Sequence, residues 1–221
     1  MNIAIDGPAG AGKSTIAKRV AAELGSIYVD TGAMYRAMAL FMIREGVDPA
    51  DSAAIGEACR RADITIVHRD GAQHVLLNGE DVTPYLRTEE VGNMASATSV
   101  NPEVRAKLVE LQQALAKTTP VVMDGRDIGT VVLPDAEVKI YLTASPETRA
   151  RRRYDELAAK GAADLPALSQ IIHDIEERDH RDMTREHSPL RRADDAVLLD
   201  SSDLSIDEVT ERVLVIAGRK A

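Results

Sequence analysis

The sequence has few aromatic residues, a single cysteine, no long apolar run and no excess of positive charge. Phe, Tyr and Trp make up 3% of the 221 residues and Trp is absent, so a core must be largely aliphatic. Cys59 stands alone, which excludes an internal disulfide and a cysteine-based zinc site. The net charge of −9 disfavours a general nucleic-acid-binding protein, which needs a basic patch. No apolar run approaches the ~18 residues of a membrane span and the chain starts on a strand pattern, so we expect a soluble, cytoplasmic protein.

The most specific motif of the chain lies at its beginning. An apolar segment, 3–5, is followed by Gly7 and then by Gly12-Lys13-Ser14, the G-x-x-x-x-G-K-[ST] phosphate loop between a predicted strand and a predicted helix. Its glycines allow backbone N–H groups to form a nest for phosphate oxygens. Lys13 adds a positive charge for the outer phosphates, and the Ser14 hydroxyl is a candidate magnesium ligand. The alternative is a Gly-rich turn that merely connects strand and helix.

Short apolar segments alternate with helical patterns along most of the chain. This alternation predicts an α/β fold of the P-loop type, with a parallel sheet of about five strands and helices on both faces. Residues 64–83 differ, because β-branched residues and the turn signals Asp70-Gly71 and Asn78-Gly79 predict a small antiparallel meander. The predicted core strands are 2–6, 26–29, 121–124, 137–142 and 196–199; the predicted helices are 13–24, 33–45, 51–61, 87–99, 102–117, 146–160, 166–186 and 205–218.

A second cluster of candidate residues, 30–36, follows the second predicted strand. It reads Asp-Thr-Gly-Ala-Met-Tyr-Arg and includes Thr31, Tyr35 and Arg36. In open α/β sheets ligands bind beyond the carboxyl ends of the strands, so this segment is expected in the same crevice as the phosphate loop. The alternatives are that Thr31 caps the helix with its hydroxyl and that Arg36 is a surface charge.

A third cluster, 123–130, ends the strand predicted at 121–124. Asp124 resembles the carboxylate of a Walker B element, which orients magnesium or its waters. Arg126 and Asp127 then lie in the loop at the carboxyl end of the strand. The alternative is a tight turn with a local Arg–Asp ion pair. It explains the Asp-Gly pair, but not two further charged residues held between glycines.

The fourth cluster contains arginines on two predicted helices. Their i, i+3, i+4 spacing places Arg149, Arg152 and Arg153 on one face, and the next helix repeats the pattern. The segment 160–163 between the helices reads as a helix break, and its small residues at 161–163 suggest a hinge, so the pair is predicted to be a lid that closes over phosphates. Two solvated amphipathic helices are the alternative. On the second helix, the residues that share one face are Arg178, Arg181, Asp182 and Arg185. Three histidines recur every seven residues and are interpreted as solvated helix positions: His173, His180 and His187.

Taken together, these motifs resemble the bacterial cytidylate kinases, of the nucleoside monophosphate kinase group. The resemblance runs nearly from end to end, through IDGPAGAGKST, VDTGAMYRA, DGRDIGTVV, RARRR and ERDHRDMTR before SPL. Shikimate and adenylate kinases share the phosphate loop but not this series. The resemblance implies ATP-dependent phosphorylation of CMP and dCMP to CDP and dCDP, with Mg²⁺ accompanying ATP.

The resemblance also implies a role for each matching residue. The ATP phosphates are assigned to Gly7, Pro8, Ala9, Gly10, Ala11, Gly12, Lys13, Ser14 and Thr15, and magnesium to Ser14 and, through water, Asp124. The cytosine ring is assigned to Thr31, Arg105, Asp127 and Arg185, with Ser96 as a further contact. The sugar is assigned to Asp182 and Arg178, and the acceptor phosphate to Arg36 and Arg126. Tyr35 completes the substrate-binding set, and the catalytic set is Lys13, Arg126, Arg149, Arg152 and Arg153. Many relatives have Ser in place of Thr31, which changes only the bulk of a methyl group.

We expect one monomeric domain over 1–221, without a nucleic-acid or membrane partner. Its parts would be a core of 1–30, 86–148 and 188–221, a monophosphate-binding region with the inserted meander at 31–85, and a lid at 149–187. Other small-molecule P-loop kinases, for UMP, AMP or shikimate, stay open as alternatives. A GTPase-like switch is disfavoured, because the chain has no D-x-x-G and no N-K-x-D motif.

Overall fold

The computed structural model describes residues 1–69, 71–159, 161 and 164–218. The strands are β1 (Ile3–Asp6), β2 (Ile27–Asp30), β3 (Ile64–Arg69), β4 (Ala72–Leu77), β5 (Glu80–Asp81), β6 (Val121–Gly125), β7 (Val138–Thr143) and β8 (Val197–Asp200). The helices are α1 (Lys13–Leu24), α2 (Thr31–Arg44), α3 (Ser52–Arg61), α4 (Glu89–Thr98), α5 (Pro102–Thr118), α6 (Pro146–Ala159), α7 (Leu168–Thr184) and α8 (Ile206–Ile216), with a 3₁₀ turn at Thr83–Tyr85 and a π-helical turn at Ile128–Val132. Two compact units result, the first of residues 1–28 and 120–221 and the second of residues 29–119.

A five-stranded parallel sheet in the order β2-β6-β1-β7-β8 forms the centre of the first unit. The predicted sheet is confirmed, with each strand within two residues of its expected bounds. Strand β1 is central, and its apolar side chains pack with those of α1 and α8 in an aliphatic core. Ile16 and Val20 of α1 are buried in this core, as the apolar periodicity of the helix requires.

The second unit has its own core around α2 and a separate three-stranded antiparallel sheet, β3-β4-β5. Met34, Met38 and Met42 recur every four residues on α2 and are fully buried. The predicted meander is confirmed, and both Asn78 and Gly79 have the positive φ of a two-residue hairpin turn. Asp70 of the other predicted turn lies outside the described residues.

Residues 86–119 belong to the second unit, whereas the sequence analysis placed them with the core region. The physical reason is the apolar faces of α4 and α5, which pack with α2 in the core of the second unit. Val91, Met94, Val104 and Leu108 are buried there.

Helices α6 and α7, the predicted lid, pack on each other in the first unit. Ala150, Ile171 and Ile175 form a small apolar cluster between them. The hinge predicted at 160–163 is described only at Gly161, and the other three residues of that segment lie outside the described residues. Within the described ranges, no helix combines the length and the apolar character needed to cross a membrane.

Two glycine-to-alanine changes should have opposite effects on stability. A Cβ atom at Gly7 would lie 1.9 Å from the carbonyl oxygen of Leu142 in β7, a clash with backbone that cannot turn aside. Among the described residues, a Cβ atom at Gly92 in α4 would meet no atom within 4 Å apart from its chain neighbours and the backbone of its own helix. We expect Gly7→Ala to lower the free energy of unfolding by more than about 3 kcal/mol, and Gly92→Ala to raise it by about 0.5–1 kcal/mol through helix propensity. Urea denaturation of both variants tests this, and a wild-type midpoint for Gly7→Ala would contradict it.

Candidate active site

The phosphate loop connects the carboxyl end of β1 with the N-terminus of α1. Gly12, the N-cap of α1, has a left-handed backbone and provides no side-chain cap, so the first N–H groups of the helix are left for a ligand. The Lys13 side chain is buried, and its Nζ donates to the carbonyl oxygen of Pro8 at 2.7 Å. A positive helix end and a buried ammonium therefore meet in one loop, as an anion site requires.

The charges around Lys13 also indicate an anion site. The pKa of Lys13 is lowered to about 7, first by burial and then by the guanidinium of Arg126, with a smaller contribution from Arg178; Asp124 and Asp6 oppose the shift. Cations gathered around a buried ammonium destabilise its charged form. A polyanionic ligand would remove this repulsion, so the arrangement suits nucleotide phosphates.

Asp124 ends the buried part of β6 and contacts two side chains of the same unit. Its Oδ2 accepts a hydrogen bond from the Ser14 hydroxyl at 2.9 Å, and its Oδ1 accepts one from the Tyr28 hydroxyl at 2.8 Å. A hydroxyl and a carboxylate side by side at the phosphate loop are the hard oxygen donors that Mg²⁺ prefers. The residues present therefore fit a magnesium ion. Tyr28 was not predicted as a site residue. The signal that could have identified it is its position in a strand whose carboxyl end lies at the predicted site.

The loop after β6 contributes to a chain of alternating charges with the end of α7. Arg126 Nε donates to Asp182 Oδ2 at 2.9 Å, and Arg185 lies 3.9 Å from carboxylate oxygens of both Asp127 and Asp182. Burial alone would raise the pKa of Asp182, but the charge of Arg126 and its hydrogen bond hold that pKa below its usual value. Four predicted substrate-binding residues of the first unit are thus brought together.

Asp6, the last residue of β1, positions this same loop. Its two carboxylate oxygens accept hydrogen bonds from the backbone N–H groups of Ile128 and Gly129, at 2.8 and 2.7 Å, in the π-helical turn that follows Asp127. Burial raises the pKa of Asp6 to about 6, although both hydrogen bonds oppose the shift. The sequence analysis missed both Asp6 and the turn. The signal for Asp6 is a carboxylate at the end of an otherwise apolar strand, next to the first glycine of the phosphate loop.

The three arginines of the predicted lid have different surroundings. Arg149 is buried and donates to the carbonyl oxygens of Ala9 and Ala144. Arg152 donates to Ser201, and its Nη1 is 4.0 Å from the Cβ position of Gly12.

Arg153 lies on the surface with Glu156, an acidic partner at i+3. Three residues along a helix bring these two side chains together. His173, His180 and His187 are exposed, as predicted.

In the second unit, α2 begins at Thr31, and Asp30 is its N-cap. Asp30 Oδ1 accepts from the backbone N–H of Ala33 at 3.0 Å, and its Oδ2 pairs with Arg87. The interpretation that Thr31 caps the helix is therefore wrong, because the preceding carboxylate occupies that position. Thr31 is buried, and Arg36 lies on the same helix. Gln73 of β4, which the sequence analysis missed, bonds both backbone groups of Asp30 and fixes this turn.

Arg105 and Tyr35 are brought together in the second unit. The guanidinium of Arg105, on α5, lies 5.5 Å from the ring centroid of Tyr35, on α2, and its Nη1 donates to the carbonyl oxygen of Ser99. A buried arginine over an aromatic ring is held in place by a cation–π interaction. Ser96 lies on α4, whose buried face packs with α2.

The parallel sheet, the phosphate loop after its central strand and the Ser14–Asp124 pair define the class as a P-loop kinase. The fold is similar to that of shikimate kinase from Bacteroides thetaiotaomicron, with a TM-score of 0.50 at 13% identity over 99% of each chain. At that identity the likeness shows the fold alone.

The particular family follows from sequence similarity. Residues 3–219 match the family model described as cytidylate kinase. The chain is 54% identical over 214 residues to the cytidylate kinase of Caldicellulosiruptor bescii, covering 97% of this chain and 94% of that protein. It is 49% identical over 220 residues to that of Carboxydothermus hydrogenoformans, covering 100% and 98%. The chain belongs to the cytidylate kinase family, and it is a phosphotransferase with a phosphate group as acceptor.

Proposed function

We propose that this kinase transfers the γ-phosphoryl group of ATP to CMP and dCMP, giving CDP and dCDP. The observation that carries the proposal is the cluster of cations around the buried Lys13 at the phosphate loop, in a chain that matches the cytidylate kinase family from residue 3 to residue 219. The cations support the binding of phosphates, and the family membership supports CMP and dCMP as the acceptors.

On the donor side, the loop residues 7–15 bind the phosphates of ATP through backbone N–H groups and Lys13. Ser14 would hold Mg²⁺ directly and Asp124 through water, with Tyr28 orienting the carboxylate. When bound, the ion neutralises charge on the phosphates and so favours attack on the γ-phosphorus.

On the acceptor side, the proposed residues bind the base, the sugar and the phosphate of the nucleoside monophosphate. The residues for the cytosine ring are Thr31, Ser96, Arg105, Asp127 and Arg185; those for the sugar are Arg178 and Asp182; and those for the acceptor phosphate are Arg36 and Arg126. The bond between Arg126 and Asp182 supports this division. It holds a guanidinium, which would contact the acceptor phosphate, beside a carboxylate, which would contact a ribose hydroxyl.

The chemistry needs alignment and charge rather than a strong base. The acceptor phosphate is already a dianion, and the γ-phosphoryl group passes in line through a loose, metaphosphate-like transition state. Lys13, Arg126 and Arg152 donate to the charged oxygens of the transferring group. Arg153 joins them when the lid closes over the phosphates, and closure excludes water, which would otherwise accept the phosphoryl group.

The protein is proposed to act as a monomer in the cytoplasm, where ATP and CMP are supplied, with no nucleic-acid or membrane partner. Its partners are then its small-molecule substrates, ATP, CMP and dCMP, together with the Mg²⁺ that accompanies ATP.

A coupled assay of ADP release tests the function across CMP, dCMP, UMP, AMP and shikimate. We expect CMP and dCMP to be used at least about a hundredfold better than UMP in kcat/KM, because two or three mismatched hydrogen bonds each cost roughly 1–3 kcal/mol. A blank without acceptor measures hydrolysis of ATP. Equal use of UMP, or preference for AMP or shikimate, would contradict the proposal.

A further inference from the structure

Arg149 bonds to three separate parts of the first unit. Its Nε donates to the carbonyl oxygen of Ala144 and its Nη1 to that of Ala9, both at 3.0 Å. Its Nη2 lies 2.6 Å from Asp179 Oδ2. Ala144 follows β7, Ala9 belongs to the phosphate loop and Asp179 lies on α7. All three nitrogens of the guanidinium are therefore used to join protein segments.

The phosphate loop rests directly on the Arg149 side chain. The Cβ position of Gly10 lies 3.3 Å from Arg149 Cβ, and Arg149 is 3% exposed. Asp179 is buried as well, and its Oδ1 has no hydrogen-bond partner among the residues that the structure describes. Its carboxylate is therefore anchored through Oδ2 and the guanidinium, and removal of either partner would leave a buried charge uncompensated.

Asp179 is placed between two residues of the proposed acceptor site. It follows Arg178 directly and precedes Asp182 by three positions, close to one helical turn, on α7. Arg178 lies near enough to Lys13 for their charges to interact, which places this end of α7 beside the phosphate loop. A shift of α7 would therefore move acceptor-binding side chains relative to the loop that binds ATP.

We propose that Arg149 and Asp179 are positioning residues that hold α7 in register with the phosphate loop, so that the acceptor is aligned with the γ-phosphoryl group. The inference rests on the proposed function, and neither residue contacts a substrate in it. In-line transfer depends steeply on distance, and a displacement of 1 Å costs about a hundredfold in rate. Three of the five N–H donors of Arg149 already bond to protein, which fixes the guanidinium in place; we therefore assign Arg149 to positioning rather than to the catalytic set that the resemblance implies.

The test compares Asp179→Asn, Arg149→Lys and the double variant with wild type at saturating and limiting substrate. Asn keeps an oxygen that can accept from Arg149 but lacks the charge, and Lys keeps the charge but cannot bond three segments at once. Each single variant should lower kcat for CMP about 10- to 100-fold, with both KM values within threefold of wild type. The double variant should be little worse than either single one, because the two residues act as a unit.

A second readout is the ratio of ADP formed to CDP formed. Misalignment of the acceptor lets water take the phosphoryl group, so this ratio should rise above one in the variants. A merely structural role would lower the thermal midpoint without changing the ratio. Asp174→Asn is the matched control, because Asp174 is an exposed acid on the same helix, and it should leave kcat and the ratio unchanged.

Several results would overturn the inference. These are wild-type kcat in Asp179→Asn, an Arg149→Lys effect confined to KM for ATP, or independent effects that multiply in the double variant. If Asp179→Asn does not fold at 25 °C, Asp179→Glu decides the question, because it keeps the ion pair but lengthens it, and full activity in that variant would also overturn the inference. Failure of the proposed function is a separate result, in which the wild-type protein itself does not use CMP.

Discussion

Lys13→Met should lower kcat by about two to three orders of magnitude and yet stabilise the nucleotide-free protein. Removal of one preorganised charge contact to the transferring group costs roughly 3–4 kcal/mol of transition-state stabilisation. In the absence of nucleotide, the same ammonium is buried beside Arg126, and burial lowers its pKa to about 7. The charged form is therefore a cost to folding that Met does not carry.

The expected gain in stability is smaller than the cost of the buried charge. Met leaves the carbonyl oxygen of Pro8 without its bond from Nζ, which offsets part of the gain. We therefore expect the free energy of unfolding to rise by about 1–3 kcal/mol, measured by urea denaturation without nucleotide. Lys117→Met, at an exposed lysine of α5, is the control and should change neither quantity. Near-normal kcat in a folded Lys13→Met protein would refute the assignment of the phosphate loop.

Arg105→Met should collapse the preference for CMP over UMP. The guanidinium only donates, so it can bond the bare ring nitrogen of cytosine but not the protonated nitrogen of uracil. In the proposed site, Asp127 would accept from the cytosine amino group and repel the carbonyl oxygen that uracil has there. Loss of Arg105 should lower kcat/KM for CMP about tenfold to a hundredfold and affect UMP far less. Initial rates with both nucleotides in the coupled assay give the ratio.

The chain offers a matched control for this experiment. Arg61 also lies over an aromatic ring, 5.8 Å from the centroid of Phe41, and pairs with Glu45 at the surface of the same unit. Arg61→Met removes a similar cation–π contact outside the proposed site, so the CMP-to-UMP ratio should stay at the wild-type value. Equal loss of both activities in Arg105→Met would mean that this residue does not read the base.

Much of the site was predictable because its motifs are local. The glycines act through their backbone and Lys13 and Ser14 through their side chains, all within one short loop, so their spacing predicts their chemistry. Asp124 was predicted as a metal-site carboxylate because it ends an apolar strand, and its bond to Ser14 supports that prediction. The roles assigned to Arg126, Asp127, Asp182 and Arg185 stay predictions, although the structure brings these side chains together.

The missed residues share a different property, because each acts through a partner far along the chain. Asp6 bonds the backbone of Ile128 and Gly129, and Gln73 bonds the backbone of Asp30. Such side chains have no motif of their own, since a carboxylate or an amide can accept from any N–H group that the fold brings near.

The sequence by itself determined the succession of strands and helices along the chain, the phosphate loop and the membership of the cytidylate kinase family, because local periodicity and contiguous motifs carry these properties. Only the tertiary structure decided which contacts each arginine makes. Arg149, Arg152 and Arg153 lie within five positions on one helix, but the first is buried against the phosphate loop, the second donates to Ser201 and the third pairs with Glu156 at the surface. A helix turns by about 100° per residue, so neighbouring side chains of one kind meet different surroundings, and those surroundings come from segments distant in the chain.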